Sequence, residues 1–301
     1  MSFSSEAKAE LCQARIEKRT LALAECCGAL LYAHSFTARE IRFITASGDF
    51  AQRLPRLFRR AFSLAFDSVS EPGANGRQRL LIEDGEKLRA IYAAFGAEPE
   101  TTLKHNVNFG ILEEPGCMEA FVRGAFLAGG SVTDPSKRFH LELATPHAQV
   151  NREMAVVLLD LGFLPKEATR GGDSLLYFKR ADAIADFFTA LGAPVTAMAV
   201  MTAKVDKEMR NTVTRQINCD SANADKTVAA AQEQLEAIRR YIRRNGLDSL
   251  PEPLRDTALL RIANPAASLA DLALLSDPPV SKSCLNYRLK KLVSLAEREK
   301  Q

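Results

Sequence analysis

Apolar positions along this chain change their period several times, and the changes mark elements. From Cys117 to Ala128 small and apolar residues run almost uninterrupted, which predicts a buried helix. Ser131-Val132 and Arg138 to Ala144 flank the turn-rich Thr133-Asp134-Pro135-Ser136. This predicts a hairpin whose second strand alternates as Phe139-His140-Leu141-Glu142-Leu143. Helical spacing returns from Val150 to Leu161 and stops at Gly162. Gly171-Gly172 then mark the turn before a strand over Leu175 to Phe178, and a helix over Ala183 to Leu191 stops at Gly192. The predicted order is helix, hairpin, helix, hairpin, helix.

The same plan appears upstream in weaker form. A helix over Leu21 to Ala33, a strand over Glu40 to Ala46 and a helix over Phe50 to Ala65 precede a second hairpin. That hairpin turns at Gly73-Ala74-Asn75-Gly76 into Leu80-Leu81-Ile82, and a helix over Lys87 to Phe95 closes the set. Two matches tie the stretches together. Gly28-Ala29-Leu30-Leu31-Tyr32-Ala33-His34-Ser35-Phe36 recurs as Gly124-Ala125-Phe126-Leu127-Ala128-Gly129-Gly130-Ser131-Val132, and Phe95-Gly96-Ala97 recurs as Leu191-Gly192-Ala193, both 96 residues on. Two separated matches in one register predict a duplicated unit. The expected boundaries are a helical lead-in over 1–20, a first repeat over 21–97, a connector over 98–116 and a second repeat over 117–196.

Residues 197–246 change character, with no Gly or Pro from 197 to 245 and an Ala, Gln, Glu and Arg-rich run from Asp225 to Arg244, so they read as a helical linker. Asn218-Cys219-Asp220 with Asn223 reads as a helix-breaking turn with Asx caps, or as a contact between domains. After Asn245-Gly246 a small unit over 247–301 is expected. It begins with a helix over Leu254 to Ala263. Ser268 caps a helix carrying Leu269, Leu272 and Leu275, with Asp271 at the capping-box position, where its short side chain predicts only a partial box. A turn through Ser276-Asp277-Pro278-Pro279 leads to Ser281, which caps a helix with Leu285, Leu289 and Leu292 as its buried stripe. Three short helices in this order predict a helix-turn-helix.

Charge sharpens that picture. The whole chain carries a formal net charge of only +3, which does not by itself argue for nucleic acid. The excess is local: residues 202–301 hold 17 Lys and Arg against 13 Asp and Glu, whereas residues 1–201 hold 23 against 24. From Ser281 to Lys291 there are four cations, Lys282, Arg288, Lys290 and Lys291, and no acid, beside Ser281, Ser283, Asn286 and Tyr287. These eight residues are the candidate DNA-binding set. Asn286 suits adenine N6/N7, and Arg288 suits guanine O6/N7 or a phosphate. The competing account is a solvated basic face on a packing helix. Four neutralised phosphates would give a slope of about −3.6 in log K against log salt, a loss of about 100-fold between 50 and 200 mM.

A helix rich in small residues followed by a hairpin, twice, in αββαββ order, resembles the LAGLIDADG homing endonuclease fold. The motif lies along Val122 to Ser131, with Gly124 as its first glycine and Gly130 as its last. The resemblance implies close packing of the two motif helices at a pseudo-twofold axis. In that family a carboxylate beside the final glycine binds the catalytic divalent metal. Here the position is Gly129, and Ala33 in the first copy, so neither helix end supplies an oxygen ligand. Asp134 and Asp49, the nearest downstream acids, read as turn and cap residues. No catalytic residue, metal or cofactor is therefore expected, and a metal-dependent endonuclease is the disfavoured alternative.

The longer pattern is similar to the WhiA family. It is carried by Arg123 to Val132, Lys207-Glu208-Met209-Arg210-Asn211, Asn218 to Asn223, Lys226-Thr227-Val228 and Pro278-Pro279-Val280-Ser281-Lys282-Ser283, and it covers nearly all of residues 20–298. Cys284 and Tyr287 stand where the family pattern has Gly and His. The resemblance implies an α+β fold, a duplicated αββαββα LAGLIDADG-like domain followed by an all-α helix-turn-helix domain. It also implies a non-enzymatic, cytoplasmic, nucleoid-associated protein of cell division and chromosome segregation, and in sporulating relatives a transcriptional regulator. The implied partners are double-stranded DNA and proteins of the transcription or division machinery, with no membrane and no small-molecule substrate.

Other groups weigh less. The six cysteines show no CxxC pair and suit reduced thiols, and Cys26-Cys27 read as small buried residues. The N-terminus lacks the apolar centre of a signal peptide, and no stretch approaches ~18 uninterrupted apolar residues. His34, His105, His140 and His147 are scattered without metal-ligand spacing. No G-x-x-x-x-G-K-[ST] occurs. Arg239, Arg240, Arg243 and Arg244 either complement a helix C-terminus or meet phosphate. A third account makes the duplicated domain a protein-interaction module.

Overall fold

Small residues and glycine stops place a helix at the start of each copy, and two hairpins follow in each. The computed structural model describes residues 2–74, 76–97 and 105–298. Asn75 of the expected turn, residues 98–104 of the expected connector, and residues 1 and 299–301 lie outside the described residues. The chain divides into one unit over Met1–Glu208 and another over Met209–Gln301.

In the first unit α1 (Phe3–Leu11) starts under a Ser2 cap, whose hydroxyl accepts from the Ser5 N–H at 3.2 Å. The first copy is α2 (Arg19–Leu31), β1 (Ser35–Phe36), β2 (Ile41–Thr45), α3 (Gly48–Phe62), β3 (Ser68–Val69), β4 (Gln78–Ile82) and α4 (Gly85–Ala94). A 3-10 turn over Phe109–Leu112 precedes the second copy: α5 (Cys117–Gly129), β5 (Gly130–Val132), β6 (Leu141–Thr145), α6 (Ala148–Asp160), β7 (Lys166–Arg170), β8 (Asp173–Phe178) and α7 (Ala181–Leu191). Each copy forms a four-stranded antiparallel sheet, in the orders β1-β2-β4-β3 and β5-β6-β8-β7. The predicted αββαββα duplication is what the chain adopts.

The duplication reaches individual hydrogen bonds. Gly96 donates to Ala93 O at 3.0 Å and Ala97 to Tyr92 O at 3.0 Å. In the second copy Gly192 donates to Thr189 O at 3.1 Å and Ala193 to Phe188 O at 2.8 Å. Both are Schellman endings, and both glycines take positive φ, +71° and +88°. The repeated Gly-Ala pair is thus a helix stop used twice. Between the matched ends the register slips: the first hairpin leaves residues 37–40 between paired strands in copy one and residues 133–140 in copy two. The offset becomes 100 at β2 and β6 and returns to 96 at β4 and β8, where Ile41 faces Ile82 and Leu141 faces Phe178.

Glycine decides how α2 and α5 meet. A Cβ on Gly28 would lie 1.9 Å from Phe121 O, and one on Gly124 would lie 2.0 Å from Glu25 O, so only hydrogen fits at either crossing point. The contacts are reciprocal, 25 with 124 and 121 with 28, as a pseudo-twofold axis requires. Buried side chains from both copies, Cys26 and Cys27 among them, form one core around this pair. Glu25, 2% exposed, carries the polar part of that core: Arg53 Nε and Nη2 donate to its two oxygens at 2.6 and 2.8 Å, and Arg123 Nε donates at 3.2 Å. Arg53 Nη1 also reaches Cys12 O and Ala14 O, so one carboxylate ties α2, α3, α5 and the chain after α1 together.

Residues 218–223, expected to turn, lie inside α8 (Pro194–Asn245). No Gly or Pro interrupts the chain between Pro194 and Gly246, and the Thr227 hydroxyl bonds back to Asn223 O at 2.8 Å, so the Asn-rich segment stays helical. In the second unit a 3-10 turn over Leu247–Ser249 is followed by α9 (Glu252–Ala263), α10 (Leu269–Leu275) and α11 (Lys282–Arg298). Its core takes Ala237, Ile238 and Tyr241 from the end of α8, together with Leu254, Ala258, Leu272, Leu285, Leu289 and Leu292. The last turns of the expected linker are therefore packing surface.

Candidate nucleic-acid interface

Two caps and one serine shape the helix-turn-helix. The Ser268 hydroxyl accepts from the Asp271 N–H at 3.3 Å, while the Ser268 N–H donates to Asp271 Oδ2 at 3.2 Å. The capping box is complete, correcting the partial one expected: the hydroxyl itself also donates to Asp271 Oδ2, at 2.7 Å, drawing the short side chain in. Ser276 fixes the turn. Its hydroxyl bonds Ala273 O at 2.9 Å and accepts from the Val280 N–H at 3.0 Å, and that same N–H reaches Ala273 O at 3.1 Å. The sequence marked Ser276 only as turn-rich and gave no sign of this role. Ser281 then caps α11, its hydroxyl accepting from the Cys284 N–H at 3.2 Å.

On α11 the predicted apolar stripe is inside: Leu285 and Leu289 are fully buried and Leu292 is 1% exposed. At about 100° per residue the opposite face carries Ser283, Tyr287 and Lys290, all exposed, with half-buried Asn286 at one edge and exposed Lys291 at the other. The remaining members of the candidate set sit at the flanks. Arg288 lines a cavity of about 630 Å³ with Leu260, Leu275 and Val280. Lys282 lines a smaller one of about 240 Å³ beside Lys226 and Arg261. Of the three leucines spaced along α10, Leu275 is 55% exposed, because the helix is only two turns long and buries Leu272 and Ala273.

The ends of the motif helices tell a different chemical story. A Cβ at Gly129 would meet Tyr32 Cδ1 at 2.7 Å and Ala144 O at 2.8 Å, so a carboxylate does not fit there without displacing backbone. Ala33 occupies the matching position, half-buried. Asp134 accepts from the Ser136 N–H at 2.8 Å as a turn residue, and Asp49 lies in the first turn of α3. These residues do not fit a divalent metal. Instead a cation serves the end of α5: Lys8 Nζ donates to Leu127 O at 3.1 Å, and burial pulls its pKa down to about 8.

Histidines that look scattered in sequence are partly brought together. His105 and His147 rings meet edge-on at 4.7 Å, and His105 stacks on Phe36 at 4.8 Å. His140 Nε2 lies 3.1 Å from Glu142 Oε2. Among the described residues no group of three or more His, Cys, Asp or Glu is placed to hold a metal, and no helix is long and apolar enough to cross a membrane.

Comparison with known proteins agrees with this architecture. The family model of the WhiA LAGLIDADG-like domain matches residues 118–210, and that of the WhiA C-terminal HTH domain matches residues 213–296. A Clostridium botulinum (strain Hall) protein named "Probable cell division protein WhiA" is 31% identical over 313 positions, covering 100% of this chain and 99% of its own length. Its namesake from Ruminiclostridium cellulolyticum is 33% identical over 307 positions, covering 99% and 98%. The crystal structure of full-length WhiA from Thermatoga maritima superimposes with a TM-score of 0.59 at 25% identity, over 99% of both chains. With relatives of this identity aligned from end to end, the chain belongs to the WhiA family.

Proposed function

We propose that this protein is a non-enzymatic, DNA-binding regulator of cell division that engages duplex DNA through α11. The observation carrying this reading is the outward face of that helix: from Ser281 to Lys291 it presents cations and hydrogen-bonding side chains with no acid, on a helix held by a capped turn. Helices so mounted enter the major groove with their first turns towards base edges. Ser283, Asn286 and Tyr287 are assigned to base edges, Lys282, Lys290 and Lys291 to phosphates, and Ser281 to fixing the start of the helix. Arg288, on the flank beside Leu260 and Val280, is assigned to backbone phosphate rather than guanine. The DNA-binding domain comprises residues 247–301 together with the packed end of α8.

The cell-division role rests on the names of the relatives. Its finer content is a cytoplasmic, nucleoid-associated protein acting in chromosome segregation and in transcription, of the kind used in sporulation, with protein partners in those machineries. The duplicated domain serves as its scaffold. The absence of nuclease activity is argued from Gly129 and Ala33, which stand at the positions of the metal-binding carboxylates and carry none.

Two measurements on the full chain test the proposal. Duplex affinity should fall with log salt at a slope of about −3.6; a slope near zero overturns the assignment. Plasmid incubated with Mg²⁺ or Mn²⁺ should remain intact. Nicking that survives purification and disappears when residues beside Gly129 are changed would make the duplicated unit an enzyme.

A further inference from the structure

The flank of α11 that holds Arg288 borders a cavity whose chemistry suits a protein and repels DNA. The cavity, about 630 Å³, lies between α9 and the turn from α10 into α11. Its apolar wall includes Leu259, Leu260, Leu275 and Val280, of which Leu259 and Leu275 are 47% and 55% exposed. Its charged groups are Glu252, Asp256 and Asp277, all exposed, against Arg288 as the one cation. Glu252, Asp256, Leu259 and Ala263 recur at spacings of three and four residues, so a single face of α9 runs from carboxylates to apolar side chains. Among the described residues none of the three carboxylates forms an ion pair, with Arg288 or with any other cation. The hydroxyls that line the cavity are already engaged: Thr257 donates to Pro253 O at 2.8 Å, and Ser276 bonds Ala273 O at 2.9 Å.

An apolar wall with three unpaired carboxylates beside it remains for a ligand. Phosphate is repelled by that excess of acid, so the cavity does not extend the DNA surface. A small polar ligand would find no free hydroxyl to orient it. Half-exposed leucines set between a helix and a turn form instead a groove of the kind that takes the apolar stripe of an amphipathic helix. Three carboxylates to one cation fix the sign of the charge that helix must carry. We infer that this groove docks a basic amphipathic helix of a protein partner, whose apolar residues cover Leu259 and Leu275 and whose lysines or arginines face Glu252, Asp256 and Asp277. The leucines supply the affinity, while the exposed carboxylates select the partner and speed its approach. The inference does not rest on the DNA reading, because Arg288 alone among the groove residues belongs to the DNA-binding set.

The test uses the full chain and, as probe, a fluorescein-labelled synthetic amphipathic helix of leucine and lysine. Its anisotropy should rise saturably with protein, and a peptide of the same composition scrambled to lose its apolar face should not bind. Leu275→Ser with Asp256→Lys, both at exposed positions where folding is not at risk, should weaken binding about tenfold. Leu274→Ser, at a position 75% exposed but outside the cavity, should leave it unchanged. Duplex affinity and its salt slope should match the parent's in every variant. No saturable binding, equal binding of the scrambled peptide, or undiminished binding in the double variant overturns the groove. So does a salt slope of duplex binding steeper by about 1 in Asp256→Lys, which would put this face on DNA. A dimer that dissociates in Leu275→Ser would make the occupant a second copy and overturn the inference as well. Because the probe is titrated without DNA, a chain that binds it but no duplex refutes the DNA reading and leaves the groove standing.

Discussion

Two helix pairs in this molecule meet in opposite ways. α2 and α5 touch backbone to backbone, with Gly28 against Phe121 O and Gly124 against Glu25 O. α10 and α11 meet through side chains, Leu272 and Ala273 against Leu285 and Leu289, and a serine-pinned turn sets the angle. The first pair spends its surface on itself and is buried almost all round. The second buries one stripe and leaves a broad polar face outside. Both carry their family's pattern, yet only the second has side chains free to recognise anything. A motif helix can thus be held for its packing alone, with no acid at its end.

The sharpest way to break the first pair is through its charge. Glu25 neutralises two arginines inside the core, so Glu25→Ala leaves Arg53 and Arg123 without a counter-ion. Removing one partner of a buried pair costs about 3–5 kcal/mol. Urea unfolding of the variant should show that loss, and a change within 1 kcal/mol would mean the arginines find other partners. Crowding the crossing comes next. Gly124→Ala puts a methyl 2.0 Å from a carbonyl oxygen that cannot retreat, at a cost of about 3 kcal/mol, the upper end of overpacking penalties. Thermal unfolding reads it directly, and an unchanged midpoint would mean that the helices do not approach so closely.

Acidity separates the pairs as well. Lys8, at the end of α5, has a folded pKa of about 8 against an ordinary 10.5, with burial as the largest cause. Its folded state binds the proton less tightly than the unfolded state. The penalty is therefore fully present below pH 8 and is relieved as pH rises from 8 to 10.5, so stability gains on the order of 2 kcal/mol across that window. Lys8→Met should remove this gain when its stability profile is compared with the parent's. Equal slopes in the two proteins would show that Lys8 is solvated.

Much of this was legible in the residues, and the gaps have physical causes. Most of the second copy could be traced because β6 alternates and its helices stop at Gly162 and Gly192; β7, exposed along its whole length, was implied only by the glycine turn that follows it. In the first copy β1 and β3 are two residues long, and both residues of β3 are exposed, so no alternation could announce them. The four-residue slip at the first hairpin was hidden because both sequence matches lie outside it. Asn218 to Asn223 read as a turn because Asn and Asp favour turns, but without Gly or Pro nothing stopped the helix. On α11 the cap, the stripe and the cations were all visible, since one helix holds them. The setting of Arg261 was not: in the middle of α9 it looks like any solvated helix residue, yet it is 2% exposed and its Nη1 donates to Ala267 O.

The smallest effect probes the second pair at its hinge. Ser268 and Asp271 exchange three hydrogen bonds at the start of α10, and their loss frees backbone N–H groups without opening a cavity. Ser268→Ala should therefore cost about 1 kcal/mol, the usual value of an N-cap. α10 buries Leu272 and Ala273 in the core shared with α11, so loosening its first turn shifts the helix against which α11 is aligned. Duplex affinity should then fall by a few-fold while its salt slope stays the same, because no cation has been touched. A changed slope would mean that the cap contacts phosphate itself. An unchanged affinity alongside the expected loss of stability would mean that α11 is held by α9 and α8 alone.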